Sequence, residues 1–358
     1  MSRPLTVFVT GAGGLVGAEV VTRLLGAGHR VIGLVHHQTD LVRNNGRPVK
    51  GGDLRLVKGD VTRPGLGIPA LGEKLDRIVH CAAVTDFGRP DEVYRSINLN
   101  GTANVIAFAA TAGEVPLVHV STAYVCGERE GVVTEDELDV GQRSGNLYEE
   151  SKLRAELLVR KAAADGLPVV VVRPSIVTGD ARTGAIRDFK NLYVVLKMIT
   201  EGKVRSLPGH FDASLDLVPV DYVADVIADA TQRFAEADGQ TLHAVGTRLR
   251  LRDVSDTLAE FPSFQVPNYI APATFDANRL PDLEKAYYQR VVSLYEGYFR
   301  RRVQFDDHAA AAFTGRRRPA GGRAYLRKLL DHAVKAGYLG SALPTIPQAL
   351  AALQRETR

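Results

Sequence analysis

Cysteine, tryptophan and methionine are scarce: the 358 residues hold two, none and two of them. Cys81 and Cys126 have no second pair with which to build a disulfide framework or a cysteine cage, so a metal site is not expected and a reducing compartment is. Long apolar runs are missing as well. Stretches such as 167–172 are strand-sized, far below the roughly 20 residues that a membrane span needs. A β-type run at 5–10 stands almost at the start, leaving no room for a charged and then apolar leader. A cytoplasmic chain with no membrane span is therefore the expectation. A dominant charge is lacking too, since 45 Lys and Arg face 41 Asp and Glu for a net +4. That mild excess could favour phosphorylated or acidic partners but falls short of a nucleic-acid footprint, so no nucleic-acid partner is expected. Neither an internal repeat nor a low-complexity tract is present.

What is present is a chain 45% hydrophobic and 24% charged, long enough for two packed units or one enlarged one. Its first half alternates short β-branched runs with helical patterns, the signature of an α/β fold with a doubly wound parallel sheet. Strands are expected at 5–10, 30–35, 54–58, 77–80, 117–121 and 169–173, mostly Val, Ile or Leu inside, as in strands buried on both faces. Helices are expected at 14–25, 94–112 and 148–165, then around 191–200 and from 221. Beyond about residue 252 the chain reads as mainly helical, with a Pro-broken stretch at 261–281.

The run at 5–10 leads straight into Gly11-Ala12-Gly13-Gly14-Leu15-Val16-Gly17 and an amphipathic stretch from Ala18 to Leu25. Glycines at 11, 14 and 17 let the backbone turn tightly, approach a pyrophosphate and pack the helix on the strand. The helix N-terminus offers free N–H groups to phosphate charge. The pattern G-x-G-x-x-G fails because Val16 holds the third glycine's place, whereas T-G-x-x-G-x-x-G fits in full. Strand before and helix after make Gly11, Gly13, Gly14, Leu15, Val16 and Gly17 a Rossmann dinucleotide cradle; a glycine turn without ligand is the plainer alternative. An NAD site normally ends its second strand on an acid that grips the ribose 2′-hydroxyl. Val35 stands there, followed by His36 and His37, with Arg43 further on, so NADP(H) is expected in preference to NAD. The alternative is that both histidines are ordinary solvated loop residues. Asp60 and Val61, after the third strand, could hold adenine, and Asp60 could equally be a turn former. The expected organisation is a dinucleotide-binding domain over 1–180, with 215–247 returning to it. A smaller, mainly helical substrate-binding or lid domain takes 181–214 and 248–358.

Tyr148-Glu149-Glu150-Ser151-Lys152 places a phenol and an ammonium at i and i+4, one turn apart on one helix face. An adjacent ammonium favours phenolate and would lower the tyrosine's pKa, which suits proton transfer. Alone the spacing is a common solvated pattern. Its context is the strand end that delivers Ser121 and Thr122 to the carboxyl edge of the sheet, where ligands bind in open α/β folds and where a hydroxyl pair can bond a carbonyl oxygen.

With these motifs in order, TGAGGLVG at 10–17, Asp60, HCAA at 80–83, NLNGT at 98–102, STAYVCG at 121–127, YEESK at 148–152 and RPSIVTG at 173–179, the chain resembles extended short-chain dehydrogenases/reductases over roughly its first half. The resemblance implies Thr122 as the active-site hydroxyl, Tyr148 as general acid/base and Lys152 as its partner, which also holds the nicotinamide ribose. It implies Ala82, Ala83 and Val84 along the cofactor, Asn98 bracing the site, and Pro174, Ser175 and Ile176 near the nicotinamide end. The wording HVSTAYVCG, NLYEESKLRAE and RPSIVTGDARTG is similar to the branch of fatty acyl-CoA reductases and terminal thioester reductase domains. That implies NADPH-dependent reduction of an acyl thioester, on coenzyme A or an acyl carrier protein, to aldehyde, with onward reduction to alcohol left open. The rival is a reductase or dehydrogenase of a free ketone, aldehyde or secondary alcohol; a non-catalytic NADP(H)-binding sensor or scaffold and a sugar-nucleotide epimerase are more distant.

Two patterns bear on the substrate. Arg300 to Arg302, Arg316 to Arg318, Arg323, Arg327 and Lys328 concentrate base that could dock coenzyme A phosphates or an acidic carrier, or could be a solvated face. Tyr287, Tyr288, Val291, Leu294, Tyr295, Tyr298 and Phe299 fall at helical spacing and could line an acyl tunnel, although such a stripe is more often core. Asp86 and Phe87 are positioned to touch substrate or to anchor their loop.

Overall fold

A computed structural model describes residues 3–38 and 40–340. The last part of the expected substrate domain, 341–358, lies outside the described residues. From the N-terminus come β1 (Thr6–Thr10), α1 (Leu15–Gly26), β2 (Arg30–Val35), β3 (Asp53–Lys58) and β4 (Arg77–His80). Next, α2 (Asp91–Tyr94), a π-helical turn (Arg95–Asn100) and α3 (Gly101–Thr111) run on as one helix to β5 (Leu117–Val120). β6 (Gly131–Val133), α4 (Leu147–Ala164), β7 (Val169–Pro174), β8 (Ile176–Thr178), α5 (Leu192–Thr200), β9 (Ser206–Pro208), β10 (Ser214–Pro219) and α6 (Val220–Gln232) follow. The chain continues through α7 (Phe234–Ala237), β11 (Thr241–Ala244), β12 (Thr247–Arg250), α8 (Leu251–Leu258), β13 (Asn268–Ile270) and α9 (Asp282–Arg290). A 3-10 run (Val292–Phe299), β14 (Val303–Phe305), α10 (His308–Thr314) and α11 (Gly322–Lys335) complete it.

Seven strands form one parallel sheet in the order β11-β7-β5-β4-β1-β2-β3. The apolar runs of the inner strands are explained by burial on both faces, whereas β3 at the edge alternates exposed Asp53, Arg55 and Lys58 with more buried Leu54, Leu56 and Val57. Val7 and Val9 belong to one core and Phe8 to the other, as period-two alternation requires. The strand order reverses between β1 and β4, which opens a crevice at their carboxyl ends. β11 joins the sheet beside β7, and α6 packs on α1.

A third core gathers α5, α8, the 3-10 run and α11 around Tyr193, Leu196, Leu207, Leu329 and Leu330. This C-terminal part is helical but carries strands that the sequence did not announce. β12 pairs antiparallel with β10, while β13 joins β9 and β14 joins β6 in parallel. Three-residue strands are too short to show an alternating pattern, so they are legible only as pairs. Among the described residues no helix is long and apolar enough to cross a membrane.

Candidate active site

The glycine turn has a shape that side chains would destroy. Gly11 takes φ +64, and a Cβ on it would stand 2.7 Å from the Ala82 backbone nitrogen. On Gly17 a Cβ would stand 2.1 Å from the Gly11 carbonyl oxygen. Gly14 caps α1 in extended conformation without any side-chain cap, and the first turn carries no acid. The free N–H groups of that turn are thus left to an anion. A cradle that a Cβ would fill, at the positive end of a helix, fits the phosphates of a dinucleotide.

At the end of β2, Val35 is buried and His36 and His37 are exposed, their ring centroids 3.8 Å apart. Arg43 does not turn toward them, because its Nη2 lies 3.2 Å from Glu19 Oε2. Asp60 accepts from the Thr62 backbone N–H at 2.8 Å and from the Thr62 hydroxyl at 2.7 Å, bonds that hold its carboxyl below the usual range. It therefore shapes the turn at 60–62, and its other oxygen stands 3.7 Å from His36 Nε2. Val61 is buried against α3 rather than open to the crevice.

Tyr148 lies in the first turn of α4, whose start is set by a reciprocal cap. Asn146 Oδ1 accepts the Glu149 N–H at 2.9 Å, and Glu149 reaches back to Asn146 Nδ2 at 3.2 Å and the Gly145 N–H at 2.9 Å. Burial raises the Tyr148 phenol, and the Thr122 hydroxyl pulls it partly back. Thr122 follows β5, donates to the Pro174 carbonyl at 3.2 Å and accepts the Tyr124 N–H at 3.3 Å, which ties the ends of β5 and β7. Lys152 is buried and donates to the Val120 carbonyl at 2.8 Å, while desolvation brings its ammonium down to about 8. The expected lowering of the tyrosine by the lysine is not the arrangement here. The hydrophobic setting outweighs it, and the ammonium is turned to a backbone carbonyl.

Asn98, from the π-helical turn, accepts the Val84 N–H at 2.8 Å and donates to the Val84 carbonyl at 3.1 Å and Ser151 Oγ at 2.9 Å. Ser151 in turn donates to the Tyr148 carbonyl at 2.7 Å. Asn98 thus links the segment after β4 to α4. Ser175 Oγ donates to Asp216 Oδ1, which also accepts the Gly246 N–H at 2.7 Å.

A cavity of about 450 Å³ joins these parts. Gly13, Gly14, Leu15, Val16, Gly17, Ala83, Thr122, Tyr148, Ser175 and Ile176 line it. Gly11, Ala82, Val84, Asn98, Lys152, Pro174, His36, His37, Arg43, Asp60 and Val61 are not part of that lining. At its far end Phe87 stacks on Tyr295 at 4.8 Å between centroids, 5.6 Å from Tyr148 and 5.9 Å from Tyr298. The C-terminal aromatic stripe therefore divides: Tyr295, Tyr298 and Phe299 reach the cavity, whereas Tyr288 is buried and donates to Glu296 Oε2 at 2.6 Å.

Several contributors were invisible in sequence. Arg301 forms a buried, two-pronged ion pair with Glu149 at 2.8 and 2.9 Å, beside Tyr148, with its guanidinium 4.7 Å from the Tyr298 ring centre. Arg187 and Gln38 lie over the glycine turn, and Tyr124 and Tyr193 add to the wall. Nothing in local spacing marks them. The basic cluster is mostly engaged within the chain: Arg302 with Asp212, Arg316 with Asp229, Arg318 with Asp307, and Arg323 and Arg327 with Glu260. Lys328 donates to the Ala181 carbonyl at 3.1 Å. These side chains stay partly exposed while paired, and Arg316 and Lys328 tie the C-terminal part to α6 and to the loop after β8.

Comparison with known proteins agrees with this geometry. The NAD-binding family described as male sterility protein matches residues 9–227. The solved terminal R domain from the myxalamid PKS-NRPS biosynthetic pathway is 26% identical, with a TM-score of 0.77, over 95% of this chain and 93% of that one. A hybrid PKS-NRPS synthetase of Talaromyces variabilis is 25% identical over 292 residues, 75% of this chain and 7% of that protein. Fatty acyl-CoA reductase 1 of Arabidopsis thaliana is 25% identical over 250 residues, 53% of this chain and 50% of that protein. The chain thus spans at most half the length of these two curated relatives. With a family match over more than half of its length and a parallel sheet bearing a glycine cradle at its switch point, the chain belongs to the NAD-binding male sterility protein family, on the extended short-chain dehydrogenase/reductase fold.

Proposed function

We propose that this chain uses NADPH to reduce an acyl thioester, carried by coenzyme A or an acyl carrier protein, to the aldehyde, with reduction to alcohol as a further stage. One observation carries the reading. A single cavity runs from the glycine cradle past Thr122 and Tyr148 to a wall of Phe87, Tyr295 and Tyr298, so cofactor, proton donor and an apolar acyl group share one space. A thioester reductase needs that combination, and the relatives named above include a fatty acyl-CoA reductase. The preference for NADPH rests on Val35 standing where an NAD site has an acid.

Bound in the cradle, a reduced nicotinamide supplies hydride to the thioester carbon. Gly13 to Gly17 and the first turn of α1 hold its phosphates, and Asn98 braces the segment against which it lies. Tyr148 donates to the substrate's carbonyl oxygen as negative charge gathers there, and the Thr122 hydroxyl joins it by rotating its one hydrogen away from the Pro174 carbonyl. A buried phenol raised above its ordinary range stays protonated at neutral pH and acts as the acid. When the carbonyl re-forms, the carbon–sulfur bond breaks, thiolate leaves and the oxygen's proton returns to Tyr148. Lys152 keeps positive charge behind the site while its own proton is retained.

The test is NADPH consumption against acyl-CoA, acyl-carrier and free carbonyl substrates, with products identified. Aldehyde from thioesters, reduced at least a hundredfold in Tyr148→Phe with NADPH binding intact, is the expected outcome. Turnover of ketones or secondary alcohols with no thioester consumed would replace this reading with that of a free-carbonyl reductase or dehydrogenase.

A further inference from the structure

The loop between β8 and α5 carries Arg187 back over the glycine turn. Its Nη1 donates to the Val42 carbonyl and its Nη2 to the Gly13 carbonyl, so one guanidinium spans the cradle and the segment after β2. Both partners are neutral. Among the described residues no carboxylate forms an ion pair with Arg187, whereas Arg43 nearby is paired with Glu19. Arg187 is half-buried and lines the cavity together with Gly13 to Gly17. Desolvation lowers its pKa. The carboxylates of Asp188 and Glu19 offset part of the cost of withdrawing this cation from water, though neither forms an ion pair with it, and a bound anion in direct contact relieves more.

The loop that bears it is firmly set. Asp180 Oδ1 accepts the N–H groups of Arg182 at 3.1 Å and Thr183 at 2.8 Å. The Ile186 N–H lies 3.3 Å from His332 Nε2 on α11. Gly184 passes so near α11 that a Cβ would stand 2.3 Å from the Lys328 carbonyl oxygen. The C-terminal helix therefore aims Arg187 at the cradle.

We propose that Arg187 is a cofactor-binding residue that closes the anion cradle over a phosphate of the dinucleotide, facing the N-terminus of α1. A guanidinium has five N–H donors. Two hold the Gly13 and Val42 carbonyls, and three remain for phosphate oxygens. The shared chemistry is a phosphate, either the diphosphate or the 2′-phosphate of NADP(H). The inference rests on dinucleotide binding alone and stands whichever substrate is reduced.

The experiment titrates the purified chain and its Arg187→Gln and Arg187→Lys variants with NADPH and with NADH, reading nicotinamide fluorescence, and records melting without cofactor. Arg187→Gln is expected to weaken NADPH binding at least tenfold and Arg187→Lys less. A loss for NADPH alone assigns the contact to the 2′-phosphate, and an equal loss for NADH assigns it to the diphosphate. Unchanged affinity for both overturns the proposal. So does a loss that Arg187→Lys does not relieve and that accompanies a lower melting temperature of the cofactor-free protein, the mark of a loop support only. Thioester turnover enters none of these readings.

Discussion

Tyr148 and Lys152 sit one turn apart on α4, and burial acts on them in opposite directions, raising the phenol and bringing the ammonium down to about 8. The lysine's cost to the fold has a definite sign. Its ordinary value is 10.5, so between about 8 and 10.5 the native chain binds fewer protons than the unfolded one and stability rises with pH across that window. Below about 8 the penalty is complete, on the order of 3 kcal/mol. Lys152→Met is therefore expected to melt higher than the parent at pH 7 and to lose this margin toward pH 10, while turnover falls. A variant that melts lower at pH 7 would show that the bond to the Val120 carbonyl outweighs desolvation. The i, i+4 spacing was legible in sequence because it is local, but the tyrosine's environment was not. Phe87 and the Thr122 hydroxyl reach it from other elements.

Elements are held in register by buried charge as much as by apolar contact. Arg301, just before β14, meets Glu149 in the first turn of α4, and Arg173 at the end of β7 meets Glu156 two turns on at 2.7 Å. Removing one member of such a pair leaves the other buried and unpaired, which costs roughly 3–5 kcal/mol. Arg301→Met should lower the urea midpoint by a corresponding amount, and Glu149→Leu with Arg301→Met together should recover much of it. A single-variant loss below about 1 kcal/mol would mean that water replaces the pair. Six of the seven strands of the large sheet were readable to within about a residue at each end, because a strand buried on both faces is an unbroken apolar run, whereas β11, four residues long, was not read as a strand. Arg301 was not, since a triplet of arginines looks alike whether solvated or buried.

Across the whole molecule, the aromatic end of the cavity is assembled from distant parts. Phe87 follows β4, Tyr193 belongs to α5, and Tyr295 and Tyr298 come from the 3-10 run, yet they share one wall. Phe87→Ala should raise KM for an apolar acyl thioester roughly tenfold, equivalent to about 1.4 kcal/mol of lost contact, with NADPH affinity unchanged; an equal loss of NADPH affinity would place Phe87 in the cofactor's half. From its sequence alone this chain declared a dinucleotide cradle, a phenol–ammonium pair and a parallel sheet, because turn geometry, helix periodicity and strand burial are properties of neighbours along the chain. Tertiary structure alone decided that Arg187 overlies the cradle, that Arg301 backs α4 and that the aromatic stripe divides between core and cavity. Each of those contacts joins residues far apart in sequence, where packing and desolvation, rather than spacing, determine the partner.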